Sequence, residues 1–132
     1  NECTMHDLNI PAGRNTPAIK YDPTQAWFRV VGSSIPENAS GFYTPVVDWL
    51  RANIHAIPDG CSFEFSLPYF NSSSLKALYL MLVEIKQAID GGKRFQLTWY
   101  VEEDDDFMTE AGETYSEMIG MNIIVAPGHI EV

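Results

Sequence analysis

Between Leu67 and Ile89 the hydrophobic pattern changes period, and few folds accommodate such a change. Phe63, Phe65, Leu67 and Tyr69 fall on alternate positions, as in a strand with one buried face. Beyond them Leu75, Leu78, Tyr79, Leu82, Ile85 and Ile89 recur at spacings of three and four, as on one face of a helix. The switch falls on Asn71-Ser72-Ser73-Ser74, so a run of hydroxyls stands where a strand ends and a helix begins. Such residues cap helices, because their side-chain oxygens accept from N–H groups that the first turn leaves unpaired. The same place also favours an added phosphate, which would meet free N–H groups and the positive end of the helix dipole.

The rest of the chain supplies partners for that strand and helix. Asp7 to Ile10 is expected as a short first strand. Thr16 to Tyr21 and Trp27 to Val31 flank the turn signal Asp22-Pro23-Thr24-Gln25 and are expected to pair as an antiparallel hairpin. Phe42, Val46, Trp49, Leu50 and Ile54 define a first helix ending near Ile54. Its start stays open, since Pro45 either kinks it or marks its first residue after a Thr44 cap. The fourth strand is read from Ser62 to Phe70, with Pro68 suggesting an edge or a bulge near the serines. A second helix from about Ser73 to Asp90 stops at Gly91-Gly92, and a fifth strand covers Arg94 to Val101. Met108, Ala111, Tyr115, Met118 and Ile119 suggest a third helix, Met121 to Val125 a last strand, and the tail from Pro127 is expected to be loose.

Because the central strands are apolar on one face only, the pattern predicts an α/β fold of two layers. It comprises a mixed sheet of five to six strands with three helices mainly on one face, not a doubly wound sheet. With 132 residues, 45% of them hydrophobic, the chain is expected to form one domain over 5–126. Residues 1–4 are expected as a tag remnant or a disordered N-terminus ahead of Met5. Eighteen acidic against eight basic residues give a formal charge of -10, and the basic residues do not cluster, which opposes nucleic acid and anionic membranes as partners. Cys3 and Cys61 make a poor disulfide framework, and no apolar run is long enough to span a bilayer; a cytoplasmic location is expected.

Chemistry is sparsely signalled. The run Glu102 to Asp106 offers carboxylates to a hard cation but lacks the spacing of a calcium loop, and an Asp-rich helix start suits the dipole equally. His6, His55 and His129 lie far apart with no metal-ligand spacing. Phosphate-cradling glycine motifs and the hydrolase nucleophile elbow are missing, and no base lies near Ser72 in sequence. No catalytic residue, metal site or cofactor is therefore assigned. Trp49, Trp99, Tyr69 and Phe70 are mainly core candidates, some of which could line a partner surface.

Several stretches taken together resemble the SiaC family of bacterial regulatory phosphoproteins. They are Asp7-Leu8-Asn9-Ile10-Pro11 with Thr16-Pro17-Ala18-Ile19; Pro36-Glu37-Asn38-Ala39 with Phe42-Tyr43 and Trp49-Leu50; Tyr69 to Ser74 with Lys76-Ala77; and Trp99-Tyr100, the acidic run and Glu110-Ala111-Gly112-Glu113. The resemblance implies a fold similar to the anti-sigma-factor antagonist (STAS) type and a non-enzymatic partner switch. It further implies phosphorylation by a GHKL-type kinase, reversal by a PPM-type phosphatase, and activation of a diguanylate cyclase by the unmodified form, raising cyclic di-GMP and favouring biofilm. The modified position carries over to Ser72, where the family commonly has Thr; Ser73 and Ser74 follow directly. Tyr69, Asn71, Ser73 and Lys76 are expected at the partner surface by proximity. The alternatives are a switch of the same type acting on another protein, such as an anti-sigma factor, and a metal-dependent enzyme using Glu102 to Asp106.

Overall fold

In the computed structural model, which describes residues 7–131, alternating strand and helix periods build a single sheet with its helices in sequence order. The elements are β1 (Asn9–Ile10), β2 (Ala18–Asp22), β3 (Trp27–Val31), α1 (Ala39–Asn53), β4 (Ser62–Ser66), α2 (Leu75–Asp90), β5 (Gln96–Val101), α3 (Asp106–Ile119) and β6 (Ile124–Pro127). The strands lie side by side in chain order, antiparallel from β1 to β3 and parallel from β3 to β6. Each parallel step carries one helix. Crossovers of one hand, all advancing in one direction, put every helix on the same face. The predicted two-layer α/β domain is thus observed, with six strands.

Side-chain alternation decides which face that is. Ile19 and Tyr21, Phe28 and Val30, Phe63 and Phe65, and Leu97 and Trp99 are buried beneath the helices. Register places Phe28 beside Phe63 and Phe65 beside Trp99 across neighbouring strands. The opposite face is polar. There Arg29 Nε donates to Glu64 Oε1 at 2.7 Å from the adjacent strand, and its guanidinium lies 4.1 Å from the Trp27 ring centroid. The β2–β3 hairpin is set by Asp22, whose Oδ1 accepts from the N–H groups of Thr24 and Gln25 at 2.9 and 3.1 Å.

Several boundaries differ from expectation. α1 begins well before Pro45: Asn38 caps it, accepting from the Gly41 N–H at 3.0 Å, and Pro45 sits inside the helix. The bond that Pro45 cannot make would have ended on the carbonyl of exposed Gly41, which water can satisfy. Of the two readings left open for Pro45, the one inside the helix holds, and Tyr43 is buried on the turn before it. β4 ends at Ser66, so Pro68 lies past a central strand and not on an edge. The bulge is nevertheless present. Gly32 donates to the Ser66 carbonyl and Ser34 to that of Tyr69, so the segment holding Pro68 carries one extra residue against its neighbour. α2 stops as expected, with Gly92 at φ +112°. The expected tag remnant at 1–4, together with Met5 and His6, lies outside the described residues.

The tail from Pro127 is fixed, contrary to expectation. Gly128 N–H donates to the Val101 carbonyl at 2.8 Å and Ile130 N–H to Ser66 Oγ at 2.9 Å, drawing the tail over the ends of the central strands. His129 holds it further, with Nε2 at 2.6 Å from Glu131 and Nδ1 at 3.2 Å from Glu102. Only the imidazolium can donate to both carboxylates.

Trp99 anchors the end of the core under α3. Its ring is buried against Phe65, Phe70 and Tyr115, and Nε1 donates to the Met108 carbonyl at 2.9 Å. Gly112 is what permits this approach. A Cβ there would stand 2.6 Å from Trp99 Cδ1, inside contact distance of a ring that cannot move.

Two outcomes are expected. Gly112→Ala forces α3 away from Trp99 and lowers unfolding free energy by about 1–3 kcal/mol, measured by urea denaturation with circular dichroism. His129 titrates above the ordinary histidine value of 6.5, held up first by its hydrogen bond to Glu131 and then by the charges of Glu102 and Glu131. Its contribution to stability is complete below the unfolded value and is lost as pH rises through the folded midpoint. Proton NMR of the ring checks this, and Glu131→Gln lowers the midpoint.

Candidate functional site

The chain leaves β4 at Ser66, passes through the bulge and enters α2 by a single tight turn, Ser72–Ser74. At that turn the three serines separate. Ser74 is buried, whereas Ser72 and Ser73 are exposed. None of them caps a backbone N–H with its side chain, so capping does not account for the run. The turn is closed by backbone, with Ser74 N–H donating to the Asn71 carbonyl at 3.0 Å and the Leu75 N–H to that of Ser72.

Each hydroxyl has a different fate. Asn71 Oδ1 accepts from Ser73 Oγ at 2.7 Å and from Ser74 Oγ at 3.1 Å. Ser74 Oγ is also 2.8 Å from Ser34 Oγ, which in turn is 2.6 Å from the Tyr43 hydroxyl. This buried chain ties the segment after β3, the second turn of α1 and the turn leading into α2 together. Burial raises the Tyr43 pKa, so its hydroxyl stays protonated and able to donate within the chain. Ser72 is the exception: its hydroxyl is exposed and makes no hydrogen bond within the described residues.

Large apolar side chains are exposed on either side of the junction. Tyr69 is 49% exposed and stacks on Phe107, itself 55% exposed, with centroids 6.5 Å apart. Leu75, Tyr79 and Met118, which periodicity assigned to the buried face, are exposed as well. They line a groove of about 490 Å³ between α2 and α3, floored by Phe70 and Tyr115. Tyr115 secures its walls by donating to the Leu75 carbonyl at 2.8 Å. A second, smaller groove of about 250 Å³ between α1 and α2 holds Ser73, and Lys76 borders both grooves. Of the residues expected near Ser72, Asn71 and Ser73 flank it and bond to each other, Tyr69 is exposed just before it, and Lys76 follows on the first turn of α2. Ser34, Tyr43 and Phe107 were not singled out as site residues, and the first two carried no signal because they meet only in three dimensions.

Other candidate chemistry is already engaged. Asp105 caps α3, accepting from Met108 N–H at 3.0 Å, Asp106 opens the helix, and Glu102 pairs with His129. Among the described residues no cluster of three His, Cys, Asp or Glu side chains could hold a metal ion. Cys61 is buried and its thiol is pushed up to about 12, chiefly by desolvation, which leaves it unreactive. No described helix is long and apolar enough to cross a membrane.

Fold and junction together define a small α/β domain that presents an unbonded hydroxyl at the entrance to a helix. The profile of the SiaC family regulatory phosphoproteins matches residues 10–126, and the chain belongs to that family. A protein of Pseudomonas aeruginosa strain UCBPP-PA14 is 30% identical over 113 residues, spanning 86% of this chain and 90% of its own length. The solved structure of SiaC of Pseudomonas aeruginosa superposes with a TM-score of 0.81 at 27% identity, covering 94% of this chain and all of the other. A chain in the crystal structure of diguanylate cyclase SiaD in complex with its activator SiaC, from the same organism, gives 0.79 at 28% identity, covering 92% of this chain and all of that one.

The buried hydroxyl chain has a measurable order of importance. Ser34→Ala strands the Tyr43 hydroxyl in the interior and is expected to cost about 1–3 kcal/mol, while Tyr43→Phe leaves Ser34 bonded to Ser74 and costs about 1 kcal/mol. Chemical denaturation of the two variants checks both the magnitudes and their order.

Proposed function

We propose that this chain is a non-enzymatic regulator that binds and activates a diguanylate cyclase when unmodified, and that phosphate on Ser72 ends the interaction. In this reading a GHKL-type kinase transfers the phosphate from ATP and a PPM-type phosphatase hydrolyses the phosphoserine to serine and inorganic phosphate, in the cytoplasm. Family membership supports the regulatory role, and the relative crystallised with its cyclase supports the partner.

The observation that carries the choice of residue is the unequal fate of the three serines. Ser74 is sealed in the buried hydroxyl chain and Ser73 is bonded to Asn71, whereas Ser72 projects unbonded into solvent. A kinase must bring the acceptor oxygen into line with a transferring phosphoryl group, and an unengaged hydroxyl does so without unfolding the turn. Tyr69, Asn71, Ser73 and Lys76 then form the contact zone.

Control follows from charge and desolvation. Phosphate adds about -1.5 to -2 at neutral pH beside the exposed rings of Tyr69 and Phe107, where a docked partner would exclude water. Desolvating that charge against apolar rings opposes docking, and each 1.4 kcal/mol lost weakens binding about tenfold. No rearrangement of the fold is needed.

Incubation with the kinase is expected to add one phosphate, mapped by mass spectrometry to Ser72 and absent from Ser74. Ser72→Ala is expected to keep cyclase activation and escape modification, and Ser72→Asp to weaken cyclase binding about tenfold or more by calorimetry. Full cyclase binding by completely phosphorylated protein would refute the switch.

A further inference from the structure

The face of the sheet turned away from the helices carries a hollow at its antiparallel end. Side chains alternate along β2, so Ala18 and Lys20 point to this face while Ile19 and Tyr21 enter the core. Register sets Ala18 directly opposite Val31 of β3, and Lys20 directly opposite Arg29. A lone methyl group among longer side chains leaves a depression. The loop after β1 borders it with Pro11 and Ala12, and the fixed tail borders it with Ile130 and Glu131. The space is about 460 Å³, within the range of roughly 300–1,000 Å³ usual for small-molecule sites.

The lining is mostly apolar, but one cross-strand row holds Asn9, Lys20 and Arg29 on successive strands. Like charges directly opposite on neighbouring strands repel. Arg29 is matched on its far side, where Nε donates to Glu64, and Glu131 is matched by His129. Lys20 is not matched. Among the described residues its ammonium makes no hydrogen bond or close ion pair, and Asp22, two residues along the same face, is engaged by the N–H groups of Thr24 and Gln25. Glu64 uses only Nε of the Arg29 guanidinium, whose plane is steadied over the Trp27 ring, so its terminal amino groups are left to donate. Trp27 also lines the hollow, and its indole N–H is buried with no acceptor among the described residues. Donors therefore exceed acceptors on this side, beside an apolar floor.

We propose that the hollow is a binding site for a small amphipathic carboxylate, its anionic head between Lys20 and Arg29 and its apolar body on Ala18, Val31 and Ile130. One unmatched cation suits a monoanion. The second charge of a phosphate monoester would face Glu64 and Glu131 with nothing to offset it, and an amine would meet Lys20. The required head can belong to a free acid or to the last residue of a peptide. The helices lie on the other face of the sheet, so the site goes beyond the regulatory reading, and either can fail without the other.

The test titrates the whole chain, by calorimetry and amide NMR, with phenylbutyrate, its primary amide, phenylbutylamine, and acetyl-Ala-Phe with a free or an amidated C-terminus. Saturable binding by a carboxylate is expected, with signal shifts at Ala18, Lys20, Val31 and Ile130, and the amide and amine at least about tenfold weaker. Lys20→Gln should lower the affinity of the carboxylate to that of the amide. Ala18→Leu, which fills the hollow, should abolish binding; circular dichroism checks that both variants fold. Tighter binding of phenylbutyrate assigns a free acid and tighter binding of the free-ended peptide a chain end, and either supports the site. Lack of saturation by both carboxylates, equal affinity for acid and amide, shifts confined to the groove between α2 and α3, or unchanged affinity in Lys20→Gln would each overturn the proposal.

Discussion

The hydrogen-bonded hydroxyls of Tyr43, Ser34 and Ser74 are the joint on which the surface chemistry depends. They lie inside the protein, where an unpaired hydroxyl would be expensive, and each satisfies the next. They come from α1, the segment after β3 and the turn into α2, so the bonds hold the backbone of that turn to two neighbouring elements. That arrangement turns Ser74 inward and leaves Ser72 facing water. The accessible hydroxyl is therefore selected by its buried neighbour.

A second constraint is the strand order. Chain order across the sheet leaves no point at which the topology reverses, and so no crevice of the kind in which doubly wound sheets hold ligands. Recognition of a partner protein must instead use helix surfaces. The exposed Leu75, Tyr79, Phe107 and Met118 are apolar residues beyond those the core requires, and they line the groove between α2 and α3. Regulation by added charge suits such a site, because apolar contacts depend on excluding water and a dianion retains it.

The sequence made the architecture legible because strands buried on one face and helices buried on one stripe have different periods. Phe63 and Phe65 against Leu78, Leu82 and Ile85 sufficed for β4 and α2. Boundaries were harder, for reasons visible in particular residues. Pro45 reads in one dimension either as a kink or as a helix start, and what decides is that Asn38 supplies an earlier cap and exposed Gly41 tolerates the missing bond. Pro68 reads as an edge, although the strand it follows is central and the extra residue is absorbed by a bulge. The site was legible only as a location. Periodicity cannot tell a stripe that packs on the core from one that overruns it, so Tyr79 and Met118 read as interior. The pairing of Ser34 with Ser74 joins positions forty residues apart, which no local pattern reports.

The two borders of the sheet complete the picture. β1 has only two residues, and β6 closes on Pro127, which has no N–H to offer. Neither border presents a long row of open hydrogen-bonding groups, so sheet-to-sheet stacking between copies of the chain has little to start from. For a small acidic protein that carries an apolar patch in the open, this bluntness leaves helix surfaces as the available route to association, and keeps that route free for a different molecule.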